Sequence, residues 1–321
     1  MHFRTELTVP ESPKKIALQT HVLTLGSCFA EVIGTKLVDN KIPTLANPFG
    51  TLFNPLSITK LLHHALDETL PDERLYVEHQ GVWFHYDFHS SLWGRTQDEL
   101  RQRLFAILQE VKQWLQQTDV LIITLGTAFV YRHLSSGQLV ANCHKTPNSA
   151  FQRELLRTEQ IVEAFEGVLA QLPSFLHVVF TVSPVRHTRD TLPLNAVSKS
   201  LLRVACHELS ERGHAYFPAY ELLLDDLRDY RFYKSDLIHP NEQAEDYIFE
   251  RFSNAYFTKE LQKFIQEWQK IRQALGHRPL YPNTASHRQF LENLLQKLQK
   301  IASDVDVNPE IATVSEQLTC L

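Results

Sequence analysis

No stretch of this sequence approaches the ~18 consecutive apolar residues of a membrane-crossing helix, and its opening segment, MHFRTELTVPESPKK, has no apolar core of the length a secretory signal carries. The expectation is a soluble, cytoplasmic protein with no membrane partner. Cysteine is scarce: Cys28, Cys143, Cys206 and Cys320 are widely spaced and form no CxxC. Neither a disulfide framework nor a structural zinc site is expected, and all four read as reduced thiols. Glycine numbers only ten, and neither GxGxxG nor GxxxxGKS/T occurs, which removes two common glycine-loop routes to nucleotides. Positive charge is also short. A net charge of -5 with no basic stripe excludes nucleic acid as the main partner. Histidine is plentiful at sixteen, yet there is no HExxH and His63 and His64 are adjacent, so no metal or other cofactor is expected.

What remains is an ordinary globular composition, 43% hydrophobic and 21% charged, in a chain long enough for one large α/β domain and a smaller appendage. β-type runs at 21–25, 42–45, 120–125, 177–182 and 215–217 are separated by helical patterns near 56–66, 97–117, 149–170 and 195–212. That alternation predicts a three-layer α/β domain built on a parallel sheet. Two segments fall outside it. Residues 74–93, RLYVEHQGVWFHYDFHSSLW, alternate with period two around His79-Gln80-Gly81 and predict an inserted β-hairpin. Its Trp83, Trp93 and His89, with His187 elsewhere, are candidates for walling a substrate pocket. After about residue 254 the chain is rich in Gln, Lys and Leu at helical spacing, broken by His277-Arg278-Pro279-Leu280-Tyr281-Pro282. The expected division is an α/β domain over 1–255, a helical appendage over 256–303, and a poorly ordered tail over 304–321.

Chemistry is expected at the C-terminal ends of the strands. After the first comes Gly26-Ser27-Cys28, where a helix follows at once: Ser27 is either a cap or a nucleophile at a helix N-terminus. Cys28 is its rival, since a thiol there can be activated, although the usual place for such a residue is buried behind the corner. Further on, Ser235-Asp236-Leu237-Ile238-His239-Pro240-Asn241 puts an acid three residues before a histidine at a predicted helix start. Asp236 can reach the imidazole Nδ1 and leave Nε2 free to accept a proton.

The pentapeptide GSCFA, with NPFGTLFNP, TLGTAFVY, NCHK, TVSPVRH, SDLIHPN and RPLYPNTASHRQFL, resembles the GSCFA-domain proteins, a branch of the SGNH/GDSL-type hydrolases. The resemblance implies a flavodoxin-like sheet of order 2-1-3-4-5, Ser27 as nucleophile, His239 as base and Asp236 as its orienter. It also implies an oxyanion hole formed by the N–H groups of Ser27 and Gly50. One departure stands out: the asparagine that SGNH enzymes carry after the third strand is Ala128 here, and loss of such a donor typically costs ~10²- to 10³-fold in rate. Thr127, Asn142 and His144 are the nearest substitutes. The implied activity is that of a serine esterase or deacylase acting on a small-molecule ester, such as an O-acylated carbohydrate. Acyl transfer on the same triad, or ligand binding without turnover, are the alternatives.

Overall fold

The computed structural model describes residues 5–281 and 284–319; Cys320 lies outside them. At its centre is a five-stranded parallel sheet of β1 (Val22–Gly26), β2 (Thr44–Ala46), β5 (Val120–Leu125), β9 (His177–Val182) and β10 (Ala215–Tyr216), in the order β10-β9-β5-β1-β2. Counted by sheet strand alone, this is the expected 2-1-3-4-5. The central strands are apolar almost throughout because both faces are covered. Leu23, Leu25, Leu121 and Ile123 point into one core with α2 (Pro55–Asp67), α3 (Gln97–Gln117), α4 (Thr158–Leu169) and α5 (Leu192–Glu211). The alternate residues Val22, Val120 and Ile122 point into a second core with α1 (Cys28–Asp39) and α7 (Glu242–Tyr256).

The expected hairpin is present as β3 (Tyr76–His79) and β4 (Val82–His85), antiparallel, with Gln80 and Gly81 both at positive φ. Two such residues suit the primed turn that matches strand twist. The hairpin is pinned from below, where the Lys60 Nζ on α2 donates to the buried Asp87 carboxylate at 2.8 Å.

A second small sheet was not anticipated. Residues 149–155, expected to open a helix, instead form a 3₁₀ turn and β8 (Phe151–Leu155), which pairs with β6 (Phe129–His133); β7 (Leu139–Val140) lies on the other side of β6. FQREL consists mostly of good helix formers, but cross-strand contacts override that preference. Arg132 makes a two-pronged pair with Glu154, and the Arg153 guanidinium lies 3.6 Å from the Phe129 ring centre. The helix begins only at Thr158.

A short helical turn, α6 (Ala219–Glu221), follows β10, and the C-terminal segment holds α8 (Lys259–Leu275), α9 (Ala285–Ile301) and α10 (Asn308–Thr319). The last is a correction, because residues after 304 were expected to be poorly ordered. Val307, Ile311, Val314 and Leu318 recur at spacings of four, three and four, one apolar stripe of a helix. Val307 and Val314 are buried in a third core with Trp268 and Leu298, and Lys41 pairs with Glu310 at 2.7 Å.

Candidate active site

Gly26 ends β1 at φ +128°, and a Cβ there would sit 2.1 Å from the Thr124 carbonyl oxygen, so the corner requires glycine. Ser27 is extended and caps α1: its Oγ accepts from the Phe29 N–H at 3.3 Å. The residue is completely buried, and its own N–H donates to the Thr124 carbonyl at 3.0 Å. Cys28, the first residue of α1, is partly exposed. The second N–H expected in the oxyanion hole is also engaged, since Gly50 N–H donates to the Asn47 carbonyl at 2.8 Å. Both N–H groups that the resemblance implied for the oxyanion hole thus pair with backbone carbonyls here.

Those loops are tightly braced. Gly26 N–H donates to Asn47 Oδ1 at 2.9 Å, and the N–H groups of Gly126 and Thr127 both donate to the Phe53 carbonyl. Gly50, at φ +69°, packs so closely on His89 that a Cβ would meet the histidine Cβ at 2.5 Å. After β5, the Thr127 hydroxyl accepts from Phe129 N–H and pairs with the Ser198 hydroxyl at 3.0 Å, while Ala128 N–H donates to Ser198 Oγ at 2.7 Å. The Thr127 hydroxyl thus braces its own loop.

The polar face of α5 that does this bracing was not recognised in the sequence. Asn195, Ser198 and Lys199 are all buried, at the i, i+3, i+4 spacing of one helix face. Asn195 accepts from His187 N–H at 2.8 Å, and Lys199 Nζ donates to the carbonyls of Gly126 and Ser183 at 2.8 and 2.7 Å. The signal was legible as NAVSK, three polar residues on a face otherwise turned to the core. Burial pushes Lys199 down to about 7. His187 lies edge-on to Phe53, its Nε2 buried without a partner, and burial pushes it down to about 3, helped by the charges of Lys199 and His239.

The Asp236–His239 loop forms as expected. Asp236 Oδ2 lies 2.7 Å from His239 Nδ1, while Oδ1 accepts from the N–H groups of Ile238 and His239 at 2.9 and 3.0 Å. These backbone donors, followed by the imidazole, hold the carboxyl down at about 2. Leu237 adopts φ +58° to close the turn, and Asn241, after Pro240, caps α7. Arg186 N–H donates to the Ile238 carbonyl at 3.1 Å. The dyad loop consequently lies against the segment after β9, next to His187.

Other expected members lie elsewhere. Asn142 Oδ1 accepts from His144 N–H, and the Asn142 N–H donates to the Tyr86 carbonyl. His144 is buried beneath the hairpin, stacked on Phe84 with ring centres 4.9 Å apart, and its Nε2 bonds the His85 carbonyl at 2.8 Å. Both residues are held at the end of β4, where the N–H groups of Ala141 and Asn142 donate to the Tyr86 carbonyl and His144 bonds the His85 carbonyl. With Phe84 they line a small cavity of about 190 Å³. Trp83 pairs its backbone with Gly94 and packs on the main core; Trp93 is exposed. A larger cavity, about 350 Å³, opens beside the dyad loop between Arg186, Leu223, Arg228, Tyr230 and Tyr233. Among the described residues, no group of three His, Cys, Asp or Glu side chains is placed to hold a metal ion.

Comparison with known proteins agrees with the motifs. No curated protein matches the chain. Among solved structures, a carbohydrate esterase family 3 from Talaromyces cellulolyticus is similar at 9% identity, covering 78% of this chain and 99% of that one with a TM-score of 0.35. A family model described as the GSCFA domain protein, C-terminal domain, matches residues 268–319, and that of the GSCFA family matches residues 21–252. With most of its length matched in this way, the chain belongs to the GSCFA family.

Proposed function

We propose that the protein is an ester hydrolase of the SGNH type that removes a small O-acyl group, with a carbohydrate as the alcohol. One observation carries this: an exposed carboxylate–imidazole pair, Asp236 and His239, on the loop before α7, with the imidazole fixed through Nδ1. A carboxylate on Nδ1 selects the tautomer with Nε2 unprotonated, the form that accepts a proton from a nucleophile. The carboxyl, held at about 2, stays ionised throughout the neutral range and stabilises the imidazolium that forms. The corner after β1, at the N-terminus of α1, supplies the nucleophile. A helix N-terminus there favours the negative charge developing on the acyl oxygen.

The test is turnover of p-nitrophenyl acetate by the full chain and by His239→Ala, with circular dichroism on both. Loss of turnover in a folded variant supports the proposal; equal turnover overturns it. Ala128, together with the engaged N–H groups of Ser27 and Gly50, favours ligand binding without turnover as the alternative. Under it, wild type and variant are equally inactive.

A further inference from the structure

The chain after α6 is irregular where it approaches the dyad loop. Residues Leu222–Leu227 wind as a π-helix, and Arg228 closes it at φ +43°, its N–H donating to the Leu223 carbonyl at 3.1 Å. A left-handed residue at a helix end is ordinarily glycine or asparagine. An arginine held there, directly after a π-helical turn, is local strain of the kind that collects at binding sites. This turn forms part of the wall of the cavity of about 350 Å³ beside the dyad loop, a volume within the ~300–1,000 Å³ usual for small-ligand pockets.

Arg186, Tyr230 and Tyr233 line the same cavity. The Arg186 guanidinium lies 5.5 Å from the ring centre of each tyrosine, and the two rings are 5.9 Å apart at 44°. Its Nη1 donates to the Leu237 carbonyl at 3.1 Å, so the dyad loop and two aromatic rings fix its place. Tyr233 is bridged to Pro240, the residue after His239, and Lys234 N–H donates to the His239 carbonyl at 2.8 Å. Two residues of the cavity wall are therefore in direct contact with the loop that carries the base.

The lining selects a chemistry. Phenol rings offer flat apolar faces with a polar tip, a surface matched by the C–H face and hydroxyl rim of a sugar ring. Charge narrows the choice further. Arg186 and Arg228 bring two positive charges, Asp225 brings one negative, and Asp229 is matched by Arg231 at 2.9 Å. Among the described residues, neither Arg186 nor Arg228 takes part in an ion pair. One positive charge is left over, on planar guanidinium groups whose forked N–H donors fit a carboxylate. A phosphate monoester, at about -1.5 to -2 near neutral pH, exceeds that charge and meets Asp225.

We propose that this cavity is a subsite for a sugar ring bearing one carboxylate, a uronate, and that the ester cleaved is an O-acyl group on an acidic carbohydrate. The proposal rests on the ester-hydrolase assignment and narrows its alcohol.

Binding is measured first, because it needs no turnover: saturation-transfer NMR titrations of the full chain with methyl glucuronide, methyl glucoside and glucose 6-phosphate. The glucuronide is expected to bind about tenfold more tightly than either of the others, the effect of one charge-assisted hydrogen-bonded pair. Arg228→Gln should remove that preference. Arg228→Lys, which keeps the charge without the fork, should retain part of it and serves as the test if the glutamine variant does not fold. Equal binding of glucuronide and glucoside, tighter binding of the phosphate, or a preference untouched in both folded variants overturns the proposal. The second arm compares kcat/KM on O-acetylated methyl glucuronide and methyl glucoside, with about tenfold preference for the uronate expected in wild type and near parity in Arg228→Gln. Selective binding by a protein that hydrolyses neither ester supports the subsite and counts against the esterase assignment. Equal hydrolysis of both esters by an active enzyme overturns the subsite alone.

Discussion

Asp236 Oδ2 and His239 Nδ1 lie 2.7 Å apart on a loop that spends two backbone N–H groups on the other carboxylate oxygen. The carboxylate is thus fixed by the loop, and the imidazole by the carboxylate. Asp236→Asn keeps the shape and can keep the two backbone hydrogen bonds, but its amide no longer selects the tautomer. Turnover is expected to fall by ~10³- to 10⁴-fold with an unchanged circular dichroism spectrum. A pH–rate profile together with that spectrum checks it.

Removal of the Ser27 hydroxyl has a different signature. Ser27→Ala takes away a helix cap, and the expected cost is about 1 kcal/mol of stability. Urea unfolding of wild type and variant reads this as a lower midpoint with an unchanged slope.

The Lys60–Asp87 pair predicts a larger effect. Asp87 is buried, its carboxyl is pushed up to about 6 by burial, and the Lys60 ammonium is its counter-charge. Lys60→Met leaves that carboxylate unpaired and is expected to cost ~3–5 kcal/mol near neutral pH. Asp87→Asn in the same background removes the stranded charge and should recover much of the loss. Chemical denaturation of the single and double variants checks it.

Acid stability is governed in part by the buried His85 and the half-buried His187. Burial holds both His85 and His187 at about 3, against an ordinary value of 6.5. Between these values the unfolded chain binds more protons than the folded one, so their contribution is fully present above 6.5 and is lost as pH falls toward 3. His187→Phe should flatten this decline in the melting temperature measured between pH 7 and pH 4. An unaltered slope would show that His187 does not contribute.

The chemistry that depends on short spacing was legible in the sequence. The Asp236–His239 turn is a contact three residues long, and the apolar strands and the Gln80-Gly81 hairpin are local patterns with a physical cause. Contacts made only by tertiary placement were not. FQREL reads as helix until Arg132 and Phe129 are beside it. Lys199 reads as a surface residue of α5 until the Gly126 and Ser183 carbonyls close over it. The missed order of α10 is different in kind, for its apolar stripe was present in the sequence. Asn142 and His144 are candidate oxyanion donors by nearness in sequence to Gly126, whereas hydrogen bonds to the Tyr86 and His85 carbonyls decide where they go.

Formation of an acyl-enzyme at the corner after β1, with His239 as base, is tested most directly by rapid mixing of the full chain with p-nitrophenyl acetate, following p-nitrophenol release in the first turnover. A burst stoichiometric with protein is expected in the wild type and none in folded His239→Ala. A burst of equal size and rate in both, or release that never exceeds the buffer reaction in the wild type, would contradict it.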